Sequence, residues 1–418
     1  MRRFDKRVAF ASAIAFGLSY LQHGPIMSLQ RDYLGILPIA TALLLLVSQP
    51  RIGAKRRAFL IGILFGLSVT LKPHLAVGWP LLLFFQWVQG TEADTGVKST
   101  KRGFSSALSI ALYSLLGLAL PIAGCLLWVW GQGSLPQFWE MFSTYLPLHV
   151  TLSGKQQVLV GSARLIYLAR SYRELGGLST WLISACLGLS MAFFGPSLSS
   201  PQKKLAYLLC CLAIVYSIYP VLSGQFWAYH WMPFQYFIIL CSSLILFHLP
   251  KEGNSAFRRV FPIAVWGLTL FLTLRLPIDV SRRLRGQPPI PPYGGRVDEI
   301  AGFLSAHLEP GDTVQPLDWT GGAVHGMLVA KAKLATHSLV DFHYYHHVSS
   351  PYVQGLRRRF IEALAAAKPR YIIEIQTNKP WVSGYDTTRE FKELADILDT
   401  DYSPVFRGDG YIIHERNR

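Results

Sequence analysis

Nine runs of mostly apolar residues, each about long enough to cross a bilayer, fill the chain up to position 279. They lie approximately at 8–28, 33–49, 58–72, 74–90, 105–130, 178–195, 205–223, 232–249 and 260–279. A hydrocarbon core of about 30 Å takes roughly 20 apolar residues to span, fewer where neighbours shield the ends. Backbone polar groups in hydrocarbon must be paired within the protein, so runs of this kind fold as helices. With 51% hydrophobic and 15% charged residues, the chain lies outside the balance of ordinary soluble domains.

The net charge of +16 raises nucleic acid as a partner, and its distribution argues against that. Up to Leu284 there are 25 Lys/Arg and 8 Asp/Glu, and from Arg285 onward 15 and 16. The basic excess therefore belongs to the apolar part, where it suits lipid phosphates and topology signals. The near-neutral remainder offers no basic face for DNA or RNA. Cys125, Cys186, Cys210, Cys211 and Cys241 all fall in apolar runs, which gives no disulfide framework.

Lysine and arginine accumulate in cytoplasmic loops. With the N-terminus inside, "MRRFDKR", "RIGAKRR", the loop with Lys98, Lys101 and Arg102, "PQKK" and "KEGNSAFRR" hold 16 of those 25 basic residues. An odd number of crossings then places the C-terminal part outside. "LSVTLKPHLAVGW", residues 67–79, tests this count. Pro73 lacks an N–H and disfavours helix just before it, so two helices should meet here in a tight external turn carrying Lys72 and His74. The N-terminal apolar run lacks a small-x-small cleavage site and reads as a retained helix.

Between Gly131 and Gly177 lies a long external segment. In "QFWEMFSTYLPLHV", Phe138, Met141, Phe142, Tyr145 and Leu146 share one helical face, which predicts a helix lying in the membrane interface. After the ninth run, "GQPPIPPYGG" is a stiff spacer dividing a transmembrane domain, 1–284, from an extracytoplasmic one, 296–418. There "DTVQPLD", "RYIIEI" and "YIIHER" read as strands, "VQGLRRRFIEALAAAK" as an amphipathic helix, and "TTREFKELADILDT" as a helix opened by a threonine cap. The expected fold class is mainly α: a polytopic transmembrane bundle of about nine helices with a small C-terminal α/β domain.

"LQRDYLGILP" after an external turn, "GLSVTLKPHL" at a helix end, "GQFWAYHWMPFQYFIIL" entering a late helix and "FIEALAAAKPRYIIEI" near the C-terminus occur in an order that resembles bacterial GT-C membrane glycosyltransferases. The closest likeness is to relatives of the dolichyl-phosphate-mannose protein mannosyltransferases, glycosyltransferase family 39. The resemblance implies transfer of a sugar from a polyprenyl-phosphate carrier to a protein, lipid or glycan acceptor outside the inner membrane, with no certain cofactor. It further implies a carboxylate general base in the first large external loop and cations on the phosphate leaving group. Here that turn is short and carries only Asp32. Either the chain starts late, without about two helices and the catalytic loop, or it is a divergent member that is inactive or uses Asp32; the late start is preferred.

Breaking a glycosyl phosphate by inversion needs a base for the nucleophile and positive charge for the departing oxygen. Asp32 is the candidate base. Arg31, Lys72, His74, Arg164 and His230 are the candidate substrate-binding groups, with Arg170 and Arg173 nearby in sequence. Lipid snorkelling of Lys72, an Arg31–Asp32 local pair, headgroup contacts of the three arginines, and an aromatic belt of Trp227, Tyr229 and Trp231 are the plainer alternatives. "DFHYYHH" at 341–347 has histidines at helical spacing, but no other ligand cluster supports a metal. "TGG" at 320–322 reads as a turn into a helix, and "LRRRF" at 356–360 as a solvated helix face. The alternative function is a non-catalytic polytopic membrane protein: a transporter, a flippase or a lipid-binding assembly subunit.

Overall fold

The computed structural model describes residues 1–22, 29–48, 52–93, 103–174, 177–194, 198–224, 227–248, 256–274, 278–288, 290–377 and 382–417. The loop with Lys98, Lys101 and Arg102, and residues 251–255 of "KEGNSAFRR", lie outside the described residues. The chain divides into two compact units: 1–136 with 159–285, and 137–158 with 286–418.

The first unit is helical. Its elements begin with α1 (Lys6–Leu21), the short α2 (Arg31–Leu34), α3 (Ile36–Ser48), α4 (Ala54–Leu71), α5 (Trp79–Ala93) and α6 (Gly103–Gly131). The short α7 (Leu135–Glu140) and α8 (Leu146–His149) follow, all but the first residues of α7 belonging to the second unit. The first unit resumes with α9 (Ser162–Glu174), α10 (Gly177–Phe194), α11 (Ser200–Ser223), α12 (Met232–Ser243), α13 (Ala256–Thr273) and α14 (Ile278–Leu284).

Among the described residues three helices are long and apolar enough to cross a membrane: Ser105–Gly131, Ser200–Leu222 and Ala228–Phe247. Thr180–Phe194 and Val260–Thr273 are shorter apolar helices. The other expected crossings form helices too, but α1 has 16 residues and α3 has 13, short of the roughly 20 that span unaided.

Helices α4 and α6 approach backbone to backbone because glycine removes the side chain where they meet. A Cβ on Gly62 would lie 2.0 Å from the Ser114 carbonyl oxygen, one on Gly66 2.6 Å from that of Leu118, and one on Gly117 2.0 Å from that of Phe59. The G-x-x-x-G spacing of 62 and 66 is a known device for close helix pairs. Gly62→Ala should therefore destabilise the chain by about 1–3 kcal/mol through overpacking. Gly124→Ala on α6, where a Cβ meets nothing within 4 Å, should be neutral or slightly stabilising. Thermal unfolding of the two variants in one detergent checks the contrast.

The second unit holds a five-stranded sheet of β1 (Thr313–Leu317), β2 (Lys333–Leu334), β3 (Tyr371–Ile375), β4 (Tyr402–Gly408) and β5 (Tyr411–Arg416), in the order β2-β1-β3-β5-β4. β1 runs parallel to β2 and β3, and β5 antiparallel to β3 and β4. Alternation along β3 sends Tyr371, Ile373 and Ile375 to a core with Ile300 and Leu304 of α15 (Arg296–His307) and Met327 of α16 (Ala323–Val329). Ile372 faces the other core, with Phe360 and Leu364 of α17 (Pro351–Ala367) and Leu394 of α18 (Lys392–Asp401). "TGG" does lead into a helix: Gly322 sits at φ 104°, and Asp318 accepts from the N–H groups of Gly321 and Ala323 at 2.6 and 2.9 Å.

Two local readings and one domain boundary are corrected. The α18 helix begins at Lys392 with no side-chain cap, because the Thr387 and Thr388 hydroxyls are engaged in the turn before it, with the Gly384 carbonyl and the Glu390 N–H. "LRRRF" is no merely solvated face: Arg357 stacks 4.3 Å over Phe391 and donates to the Tyr344 carbonyl, and Arg359 pairs with Glu140 at 2.8 Å. Residues 137–158 belong to the sheet-containing unit; Tyr145 hydrogen-bonds His343, and Ser153 bonds the Tyr385 carbonyl at 3.0 Å. Tyr145 is thus drawn off the apolar face on which Met141, Phe142 and Leu146 stay exposed.

Candidate functional site

Three turns of the helical unit meet around one carboxylate. The first is the joint before α3. Ser68 near the end of α4 donates to the Gly35 carbonyl at 3.1 Å, which ties that joint to the α4 terminus. The second is the Pro73 turn. Helix α4 stops at Leu71, Lys72 is extended at φ −160° and ψ 115°, and Pro73 opens a 3-10 turn to Gly78. The third is the 3-10 turn Ala228–Trp231 that enters α12.

Asp32, in the first turn of α2, is 1% exposed. Lys72 Nζ reaches its two carboxylate oxygens at 3.0 and 3.2 Å. Tyr219, fully buried near the end of α11, donates its hydroxyl to Asp32 Oδ1. Tyr216, one turn earlier, donates to the Leu75 carbonyl at 2.9 Å and so fixes the Pro73 turn against α11.

The Lys72 ammonium also lies 5.4 Å above the Tyr219 ring and 5.5 Å above that of Tyr229, within cation–π range. His74 and His230 approach Tyr219 edge-on at 6.3 and 6.2 Å. His74 keeps a buried Nδ1 with no hydrogen-bond partner, and His230 is 3% exposed. The cluster therefore offers one charge-neutral ion pair, one buried phenol and two imidazoles in a single place.

Of the sequence candidates, Asp32, Lys72, His74 and His230 come together, and Arg31 is exposed on the short helix that carries Asp32. Arg31 and Asp32 are adjacent, but the carboxylate is paired to Lys72 instead. Arg164 directs its guanidinium to the backbone carbonyls of Leu159 and Val221, which ties the start of α9 to the end of α11. Arg170 is exposed on α9, and the Arg173 side chain lies outside the described residues. The aromatic belt is divided: Trp227 is 41% exposed, whereas Trp231 is 3% exposed and sits against Phe234.

Tyr219 escaped the sequence reading because a tyrosine inside an apolar run reads as core. Pro220 directly after it was the one local signal of an irregular helix end. Among the described residues no group of three or more His, Cys, Asp or Glu side chains is arranged to hold a metal ion. No family model matches the sequence, and no curated protein matches it either.

Proposed function

We propose that the chain is a multi-pass inner-membrane glycosyltransferase of the GT-C type, with a cytoplasmic N-terminus, about nine crossings and an extracytoplasmic C-terminal unit. The observation that carries the reading is the meeting of Asp32, Lys72, His74 and His230 from three separate turns around a buried phenol. A polyprenyl-phosphate sugar brings a phosphate that competes with Asp32 for the Lys72 ammonium, and Arg31 adds a second cation. As Lys72 shifts to the phosphate, Asp32 Oδ2 is released while Tyr219 still holds Oδ1. Asp32 Oδ2 then takes the proton of the acceptor hydroxyl as the acceptor oxygen bonds the anomeric carbon and the sugar–phosphate bond breaks, its electron pair leaving on the phosphate held by Lys72 and Arg31.

A second reading has an observation of its own. Asp32 is 1% exposed and both of its oxygens are engaged, which suits a structural knot in a non-catalytic transporter, flippase or lipid-binding subunit. The full chain reconstituted in bilayers with labelled polyprenyl-phosphate sugar separates the two. Release of the sugar requires an enzyme, and retention without release favours the binding subunit. Arg31→Gln changes an exposed residue and leaves the Asp32–Lys72 pair intact, so it should lower release at least tenfold without altering stability. Unchanged turnover in this variant removes Arg31 from the site.

A further inference from the structure

A cavity of about 200 Å³ opens in the helical unit, away from Asp32. Its walls are Ala40, Leu43 and Leu44 of α3, Leu205 and Leu209 of α11, and Leu240 of α12, with Arg2 and Arg3 at its rim. The Asp32 cluster takes the start of α3 and the end of α11, and the cavity takes the reverse portions of both. At 1.5 Å per residue, the seven positions from Ile36 to Leu43 rise about 10 Å along α3.

Two features say what fills it. The α11 wall is apolar and buried, with Leu205 4% and Leu209 1% exposed, Tyr236 adds one phenol to the lining, and Leu44 on the outer wall is 63% exposed. Cavities of similar size lined by aliphatic side chains stay dry and take apolar guests. The rim, by contrast, is cationic. Arg2 and Arg3 are exposed, and Gln202 at the start of α11 donates to the Arg3 carbonyl at 2.8 Å. That bond brings the start of α11 to the same rim. The acid closest in sequence, Asp5, accepts the Arg7 N–H as the cap of α1.

We infer that this cavity is a binding site for an anionic phospholipid of the inner leaflet, with one acyl chain between α3 and α11 and its phosphate on Arg2 and Arg3. Basic pockets between membrane helices on the cytoplasmic side suit such headgroups. The inference rests on the membrane orientation proposed above and is independent of glycosyl transfer.

The test uses the full chain in detergent, with copies of added phosphatidylglycerol and phosphatidylcholine retained on it counted by native mass spectrometry. A basic side chain near the surface is worth about fivefold in anionic-lipid affinity, so the wild type should prefer phosphatidylglycerol by well over tenfold. Arg2→Gln with Arg3→Gln should cut that preference by roughly thirtyfold. Leu44→Trp, which fills the cavity from an exposed position, should reduce retention of both lipids. Equal retention of the two lipids by the wild type overturns the proposal, as does a preference that survives the double arginine change. Thermal protection by inorganic phosphate equal to that by phosphatidylglycerol also overturns it, since the site would then bind an anion without its chain. Should Leu44→Trp lose its helical circular dichroism, the arginine variant still decides. Failure of the wild-type chain to stay in bilayers after an alkaline wash would count against the membrane reading, whereas failure of lipid selectivity counts against the cavity alone.

Discussion

Replacing Lys72 with methionine should lower the stability of the full chain by about 3–5 kcal/mol, because the change leaves a carboxylate buried without its counter-charge. Asp32 is 1% exposed and the Lys72 side chain 12%, so water does little to screen either partner. Taking both charges away is a different matter: Asp32→Asn with Lys72→Met leaves Tyr219 a neutral acceptor and should recover most of the loss. Equilibrium unfolding of the two single variants and the double variant in mild detergent gives the coupling between the residues directly. Additive losses would mean that the ion pair is not what orders the three turns. The double variant also separates the functional readings, since it should fold and yet release no sugar if Asp32 and Lys72 take part in transfer.

The break at Pro73 was legible because its causes are local: a missing N–H and a clash with the residue before it. The helix indeed ends at Leu71, and Lys72 is extended. The three strands read from "DTVQPLD", "RYIIEI" and "YIIHER" were legible for the same kind of reason, alternation or a short apolar run bounded by turn residues. β4, with exposed residues along most of its length, carries little such pattern.

What stayed hidden depends on partners remote in sequence. Tyr219 and Asp32 are 187 positions apart, and Tyr145 and His343 are 198 apart. An amphipathic face at 138–146 is legible in the spacing, but not that Tyr145 leaves it for His343 while Met141, Phe142 and Leu146 stay exposed. The glycines of α4 are a middle case. Their spacing is written plainly at 62 and 66, yet only the approach of α6 gives it meaning.

In the second unit, lowering the pH from 6.5 to 4 should loosen residues 137–158 from the sheet-containing part. His343 bonds the Tyr145 hydroxyl, and their rings meet edge-to-face at 4.4 Å. Burial, helped by the charges of His149 and His346, pushes His343 down to about 4. His149 is shifted in the same direction, again chiefly by burial and then by His346 and His347. The Tyr145 phenol is pushed up by its own burial, so it remains a neutral donor throughout this range. A histidine whose pKa is lower in the folded chain is protonated first in the unfolded one. Its contribution to stability is therefore complete above about 6.5 and is lost as the pH falls through that value towards 4. For His343 alone the loss reaches about 3 kcal/mol once the pH is below both values, and His149 adds to it. Limited proteolysis of the full chain between pH 7.5 and 4.5 should show cleavage within 137–158 accelerating steeply below pH 6.5. His343→Gln keeps a hydrogen-bonding group for Tyr145 but cannot take the proton, so its profile should be much flatter. A wild-type profile that is flat across this range would mean that the imidazole gains its proton without leaving Tyr145, and that the hold on this segment lies in Arg359–Glu140 and the Ser153 contact instead.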